Sequence, residues 1–219
     1  MKNYLIVTVA FIAGVLMFNS CGGNEQAKSE KARIEAERAM FVADSIAKEH
    51  ARIDSLNLLT IERCKPLFIE KNDEFSDYTW VKPKSAPKYR NRNGIYCYFA
   101  TKNGSASNFR FVFQYYGGDW LFIQNMVFNI DGENIIIIPS NMETDCNLSI
   151  WEWCDELVQS GNATYSINEE FISKIANAKS VKVKLNGRKY YDTRTLTSSQ
   201  IKSIKDTYEY FKALGGKIG

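Results

Sequence analysis

The sequence predicts an α+β fold, with an antiparallel sheet of about five to seven strands, a long helix before it, and a late hairpin and two helices after it. Aromatic residues alternate along the stretch from Asn108 to Pro139, which predicts three antiparallel strands joined by two tight turns, so that the strand at Asn108 pairs with the strand at Trp120. Residues 24–65 have the composition of a helix, and two capping boxes occur in the last third of the chain. Because the helices follow the strands instead of alternating with them, repeated βαβ units are not expected.

The bulk composition is that of a folded protein. The chain has 219 residues, of which 45% are hydrophobic and 24% are charged, and its net charge is +3. That charge is too small to predict nucleic acid or an acidic membrane surface as the partner. The one histidine, His50, lies in the predicted helix before the sheet, and no C-x-x-C or H-x-x-x-H pair is present. We therefore predict no metal site, no cofactor and no catalytic residue.

The amino-terminal residues have the pattern of an export signal. Lys2 provides one positive charge, and a continuous apolar run extends from Tyr4 to Phe18. This run is short for a membrane-spanning helix, which needs about 20 residues, and it fits the apolar region of a signal peptide. Cys21 follows at once, preceded by Ser20.

This segment resembles the lipobox signal of bacterial lipoproteins, in which a small residue precedes the cysteine that is lipidated. Ser20 and Cys21 match the pattern, whereas Phe18 stands where a leucine is usual. The resemblance implies a signal peptide over residues 1–20, acyl chains such as palmitate on Cys21, and attachment to the membrane of a bacterial cell envelope. The outer membrane is favoured because Gly22 is not an acidic retention signal. The alternatives are a secretory signal with an incidental cysteine and an uncleaved anchor.

Residues 21–65 are interpreted as the lipid anchor and a helical spacer. The stretch lacks proline, and it lacks glycine after Gly23, which favours a helix. A narrow apolar stripe at three-and-four spacing is formed by Ala39, Val42, Ile46, Ile53 and Leu56. Glu49 interrupts this stripe, so a solvated spacer whose last turns dock on the domain is favoured over a coiled coil that forms oligomers. Pro66 ends the helix.

The globular domain is predicted over residues 66–219. Its predicted strands are Tyr78–Lys82, Ile95–Thr101, Asn108–Tyr116, Trp120–Ile130, Ile135–Ile138 and Leu148–Leu157. Asp131-Gly132 is a hairpin signal, because glycine accepts the positive φ of a primed turn, and residues 141–147 are predicted as a loop. The residues predicted to form the core of this sheet are Phe109, Phe111, Phe113 and Phe122.

The last third of the chain has helical start signals on either side of a hairpin. The capping boxes are Ser166 with Glu169 and Thr197 with Gln200. Between them, the alternation over Ser180–Leu185 predicts a strand that turns at Asn186-Gly187 into Arg188–Tyr191. The globular region is similar to uncharacterised α+β domains carried by bacterial envelope proteins, a likeness that implies no activity. The likeness lies in Gly117–Trp120, Ile175–Ala178 and Lys189–Asp192.

Two groups of residues could form covalent bonds or take part in catalysis. After Cys21, the remaining cysteines are Cys64, Cys97, Cys146 and Cys154. In an oxidising envelope they could form two disulfides, in any of three connectivities, and the sequence does not select among these. Cys97 also fits the alternative of an inert thiol that faces inward from a strand. Paired carboxylates beside aromatic residues are the material of a glycosidase site. Here Glu152, Asp155 and Glu156 accompany two tryptophans, and the alternative is a solvated strand face.

Two surfaces are candidates for partner binding. A basic face on the late hairpin consists of Lys179, Lys182, Lys184, Arg188 and Lys189. It could bind an anionic envelope polymer or lipid headgroups. The alternatives are an ordinary solvated face and lysines that keep an edge strand from pairing with other chains. The second surface surrounds Tyr116 and the turn that ends at Asp119.

The sequence therefore predicts a lipid-anchored, non-enzymatic envelope module that binds or scaffolds a protein or a glycan. The residues predicted to contact the partner are Tyr116, Asp119, Lys182, Lys184 and Arg188. The alternative function is an envelope hydrolase that uses carboxylates on a glycan.

Overall fold

The structure, a computed structural model, describes residues 25–146, 150–161 and 164–219. The chain divides into two units, Met1–Ala51 and Arg52–Gly219. In the first unit the described residues are helical throughout. The predicted signal peptide and Cys21 lie outside the described residues.

The predicted amino-terminal helix is confirmed as α1 (Glu25–Cys64). Val42 and Ile46 of its apolar stripe are 54% and 51% exposed, so self-association through this stripe stays a prediction. Within the second unit, the carboxyl end of α1 packs on the core, because Cys64 is fully buried there. A 3-10 turn over Lys65–Leu67 then leads into the first strand. The expectation that the last turns of the helix dock on the domain is confirmed.

The described residues form ten strands in two antiparallel sheets, which confirms the α+β class. The strands are β1 (Phe68–Asn72), β2 (Thr79–Pro83), β3 (Gly94–Lys102), β4 (Ser105–Gly117), β5 (Asn125–Ile130), β6 (Glu133–Ile137), β7 (Glu143–Cys146), β8 (Ile150–Leu157), β9 (Val181–Asn186) and β10 (Tyr191–Thr195). Sheet 1 has the order β1-β2-β3-β4-β8-β7, and sheet 2 has the order β10-β9-β5-β6. The chain passes from sheet 1 to sheet 2 after β4 and returns to sheet 1 after β6.

The predicted pairing of the strand at Asn108 with the strand at Trp120 is wrong. Strand β4 belongs to sheet 1 and β5 to sheet 2, and β5 begins only at Asn125. The preceding residues do not continue the strand because Phe122 has a φ of +52°, which interrupts an extended backbone. As a result the Phe122 side chain is 40% exposed, which corrects its assignment to the core.

The other aromatic residues assigned to the core are confirmed. Phe109, Phe111 and Phe113 of β4 are 2%, 0% and 0% exposed. Rings pack edge to face between the layers: Phe111 lies 6.2 Å from Phe128 of β5, and Phe109 lies 4.9 Å from Phe211, between ring centroids. The core therefore lies between the inner faces of the two sheets and the carboxyl-terminal helices.

One turn and one helix cap of the domain match the sequence signals, and a second helix cap differs from its signal. Asp131 and Gly132 have φ values of +49° and +100°, as a primed hairpin turn requires. The helix α3 (Ser198–Ala213) begins with the predicted capping box of Thr197 and Gln200. The helix α2 (Glu169–Asn177) is capped by Asn168, whose side chain accepts the N–H of Phe171 at 2.9 Å, so the predicted cap at Ser166 is wrong.

Two further elements differ from the predictions. Residues 143–146, predicted as loop, form β7 at the edge of sheet 1 beside β8. All four side chains of β7 are exposed, so no apolar alternation marks it in the sequence. The late hairpin is confirmed, but its second strand is β10 (Tyr191–Thr195), and residues 187–190 form the connecting loop.

Candidate functional site

The predicted carboxylate cluster on β8 is divided between the two faces of sheet 1. Glu152 is fully buried, which excludes for this residue the alternative of a solvated strand face. Its carboxylate accepts hydrogen bonds from the backbone N–H groups of Leu121, Phe122 and Ile123 at 2.8, 2.8 and 2.7 Å. Glu152 thus fastens the segment that crosses from sheet 1 to sheet 2.

The two other carboxylates of β8 also have protein partners. Glu156 accepts hydrogen bonds from Ser140 and Asn141, and so holds the crossing that leads back to sheet 1. Asp155 accepts from the Tyr98 hydroxyl at 2.5 Å and from Arg110 Nε at 2.6 Å. Burial and then the hydrogen bond to Asp155 raise the pKa of Tyr98 above its ordinary value. These contacts assign the three carboxylates to positioning the chain and give the hydrolase alternative no support.

The cysteines among the described residues form no disulfide. Cys64, Cys97 and Cys154 are buried thiols, and Cys146 is an exposed thiol. Burial raises the pKa of the Cys154 thiol to about 12, and burial also raises the pKa of Cys97. Because the thiolate is the reactive form, these buried groups are inert, as expected for Cys97.

Metal sites and membrane-spanning helices are both absent from residues 25–146, 150–161 and 164–219. This part of the chain contains no group of three or more His, Cys, Asp or Glu side chains arranged to hold a metal ion. No helix in this part of the chain is both long enough and apolar enough to cross a bilayer.

The residues predicted to contact a partner do not form one site. Tyr116 lies on β4 in sheet 1, where its N–H donates to Asn93 Oδ1 at 2.8 Å. Asp119 is exposed in the segment between the sheets, and Arg188 lies in the β9–β10 loop. Lys182 and Lys184 point outward from β9 in sheet 2. The structure therefore separates Tyr116 from the two lysines, and places Asp119 and Arg188 in connecting segments.

The outward side of sheet 2, here named the polar face, brings together residues from four strands. On β9 the inward residues are Val181, Val183 and Leu185, and the alternate residues point outward. The strand registers extend this alternation across the sheet. The polar face consists of Asn125, Val127, Asn129, Asn134, Ile136, Lys182, Lys184, Asn186, Tyr191, Thr193 and Thr195.

Amides and hydroxyls surround the two lysines of the polar face. Side-chain amides hydrogen-bond across neighbouring strands, from Asn186 to Asn125 and from Asn129 to Asn134, each at 2.7 Å. The Lys184 ammonium lies 4.4 Å from the centre of the Tyr191 ring. A depression of about 510 Å³ lies over this face. The described strands contribute no Asp or Glu to the face, so its charge is positive.

The position of β9 tests one of the interpretations of its lysines, the protection of a sheet edge. Strand β9 pairs with β10 on one side and with β5 on the other. It is therefore an internal strand, and the alternative that Lys182 and Lys184 protect a sheet edge is wrong. Neither ammonium has a carboxylate within 4.0 Å in the described part of the chain. Two positive charges thus stand on an open sheet face, with no acidic partner among the residues that the structure describes.

The remaining residues of the predicted basic face lie elsewhere. Lys179 precedes β9, and its backbone N–H donates to the Asp131 carboxylate. Lys189 lies in the hairpin loop with Arg188. Sequence reasoning missed the amides and hydroxyls of the polar face. Their signal was the alternation Asn-x-Val-x-Asn in β5, which became meaningful only when the register placed β5 beside β9.

Compared with known proteins, the chain matches no family model, no curated protein and no solved structure. The geometry of the described residues is therefore the basis for a functional conclusion.

Proposed function

We propose that this protein is a lipid-anchored, non-enzymatic module of the bacterial cell envelope that binds an acidic glycan through the polar face. One observation carries the proposal: Lys182 and Lys184 stand on an internal strand, and no described residue gives either of them an acidic partner. A structural role for these lysines at a sheet edge is excluded by the pairing on both sides of β9.

The spacing of the lysines suits a ligand with repeated negative charges. Two residues along a strand are about 7 Å apart, and both side chains leave the same face of the sheet. At that distance two exposed ammonium groups repel each other weakly in water, and an anion placed between them removes the repulsion. A polymer with an acidic group on each unit would meet both charges.

The neighbours of the lysines favour a glycan over other anions. Amides and hydroxyls both donate and accept hydrogen bonds, as sugar hydroxyls do. The face provides these groups from Asn125, Asn129, Thr193 and Thr195, in rows that flank the two lysines. Recognition of an anion alone would need only the positive charges.

The proposed anchor comes from the lipobox resemblance at Cys21. An envelope polymer and a lipid-anchored binder would share one compartment, so the two parts of the proposal support each other. The 40-residue helix α1 is about 60 Å long, and we propose that it serves as the spacer between the lipid and the binding domain.

The test is a binding measurement on the full-length protein in detergent micelles. Polygalacturonate is the acidic probe, and neutral dextran is the uncharged control. We expect polygalacturonate to bind, with an affinity that falls as salt is added. The double variant Lys182→Gln/Lys184→Gln should bind about tenfold more weakly, from the loss of two charge-assisted contacts.

A charge-matched control is the double variant Lys31→Gln/Lys48→Gln on α1, which removes the same charge from residues that do not belong to the polar face. It should bind polygalacturonate as the wild type does. Equal losses in the two double variants would show that net charge, and not the polar face, determines binding, and would contradict the proposal.

A further inference from the structure

Two stacked aromatic side chains, the half-buried Trp120 and the exposed Phe122, lie in the segment between β4 and β5. The rings of Trp120 and Phe122 are stacked, with centroids 5.4 Å apart and planes 13° from parallel. The Arg188 guanidinium lies over the Phe122 ring at 5.0 Å from its centroid. We name these three side chains the ledge.

The backbone beneath the ledge is held in place by the buried carboxylate of Glu152. Three consecutive N–H groups, from Leu121 to Ile123, donate to this carboxylate. Leu121 and Ile123 are each 6% exposed, so the residues on either side of Phe122 are packed in the core. The ring of Phe122 is thus directed outward by contacts that involve only its backbone and its neighbours.

The β9–β10 hairpin holds the same segment from the other side. The N–H of Arg188 donates to the carbonyl of Leu121 at 2.9 Å, and the N–H of Gln124 donates to the carbonyl of Asn186 at 2.8 Å. A β carbon on Gly187 would lie 2.1 Å from the Leu121 oxygen, so only glycine allows this approach. The ledge therefore has a fixed position at the end of sheet 2 where Asn125, Asn186 and Tyr191 lie side by side.

The fold does not need a phenylalanine at position 122. A φ of +52° is a conformation that bulky residues rarely adopt and that glycine adopts freely. The ring is 40% exposed, so it also adds little to the core. Unfavourable backbone geometry of this kind is concentrated at functional sites. The feature that this residue contributes is the exposed ring itself.

We infer that the ledge is the ring-stacking subsite of the polar face, an inference that rests on the glycan-binding function proposed above. A sugar ring of the bound polymer stacks on the Trp120–Phe122 pair, and its acidic group pairs with Arg188. Guanidinium suits this role because its planar donors can bind a carboxylate or sulfate in a bidentate manner. The lysines then hold acidic groups farther along the same chain.

The decisive variant is Phe122→Gly, which removes the ring and suits the backbone conformation. Its melting temperature should equal or exceed that of the wild type. Its affinity for polygalacturonate should fall about fivefold, as expected for the loss of one aromatic stacking contact. Polyphosphate, which has charges but no rings, should bind the variant and the wild type equally.

Tyr165→Gly is the matched control, because Tyr165 is also exposed and also has a positive φ, of +67°. It lines a separate depression beside Glu133 and Lys174. This variant should bind both polymers as the wild type does.

The two proposals fail in different ways. If Lys182→Gln/Lys184→Gln weakens binding and Phe122→Gly does not, the ledge inference is overturned and the proposed function stands. If Phe122→Gly weakens polyphosphate as much as polygalacturonate, the ledge does not stack sugar rings and the inference is again overturned. If the wild type binds neither polymer, both proposals are wrong.

Discussion

The guanidinium of Arg63, at the end of α1, donates a 2.7 Å hydrogen bond to the carboxylate of Asp206 in α3. Asp206 is 5% exposed and also accepts from the Lys202 ammonium at 2.5 Å. The Cys64 thiol donates to the Asp206 carbonyl, so two consecutive residues of α1 contact one residue of α3. The carboxyl end of the helix is therefore part of the domain.

Arg63→Ala should lower the free energy of unfolding by about 1–2 kcal/mol, because a nearly buried carboxylate loses one of its two cationic partners. Urea denaturation of the full-length protein measures this change. Arg33→Ala is the control, because its pair with Glu30 is exposed on both sides, and such pairs contribute less than about 1 kcal/mol. Equal changes in the two variants would show that the Arg63 contact does not fasten the helix.

Glu152→Gln should destabilise the protein by about 2–4 kcal/mol, because an amide NH₂ would face backbone N–H groups that now donate to oxygen. Glu156→Gln is the matched control on the same strand, since Glu156 also accepts backbone N–H groups but is only half-buried. It should lose less stability than Glu152→Gln in the same urea titration. A smaller loss for Glu152→Gln than for the control would contradict the fastening role assigned to Glu152.

The Asp131 carboxylate should make stability depend on acidic pH. Hydrogen bonds from the N–H groups of Lys179 and then Ser180 hold the pKa of Asp131 below its ordinary value of 3.8. Since folding lowers this pKa, the ionised carboxylate stabilises the fold above pH 3.8, and this contribution disappears as the pH falls through the lower folded value.

The variant Asp131→Asn keeps a residue that tolerates the turn conformation and removes the titration. Its unfolding free energy should lie below that of the wild type at neutral pH, and the two should converge in strong acid. Asp44→Asn, which removes an exposed helix carboxylate paired with Lys48, should not reproduce this pattern. A difference for Asp131→Asn that is constant over the whole pH range would contradict the titration.

Cys21→Ala should release the protein from the membrane, because the proposed acyl anchor would be attached through the Cys21 thiol. Fractionation of cells that express the variant measures the change. Cys146→Ser is the control, since Cys146 is an exposed thiol with no disulfide, and this variant should stay with the membranes. Retention of Cys21→Ala in the membrane fraction would refute the lipoprotein interpretation.

Local signals in the sequence were sufficient for most elements of the fold. The turn at Asp131-Gly132, the cap at Thr197 and the alternation in β9 each depend on residues close together in the chain. They were predicted correctly because the physics that determines them is local. The division of the strands between two sheets could not be predicted in this way, because it depends on long-range pairing.

Glu152 shows why the division was missed. The sequence pattern before Asn125 continues the aromatic alternation of a strand, but the N–H groups that a strand would share with a neighbour are bound by this carboxylate. The candidate site was limited by the same cause. Lys182 and Lys184 were predicted, but whether their strand was internal or at an edge required the pairing of β9 with β5.

Strand β9 follows β1 to β8 in the chain, and only β10 comes after it. It nevertheless occupies an internal position in sheet 2. As the chain emerges amino end first, the β5–β6 hairpin must wait for Val181 to Asn186 before one of its edges is paired. Until then, an apolar hairpin with an open edge is a template for aggregation. The order of synthesis thus leaves β5–β6 as the hairpin whose β5 edge stays unpaired until β9 is complete.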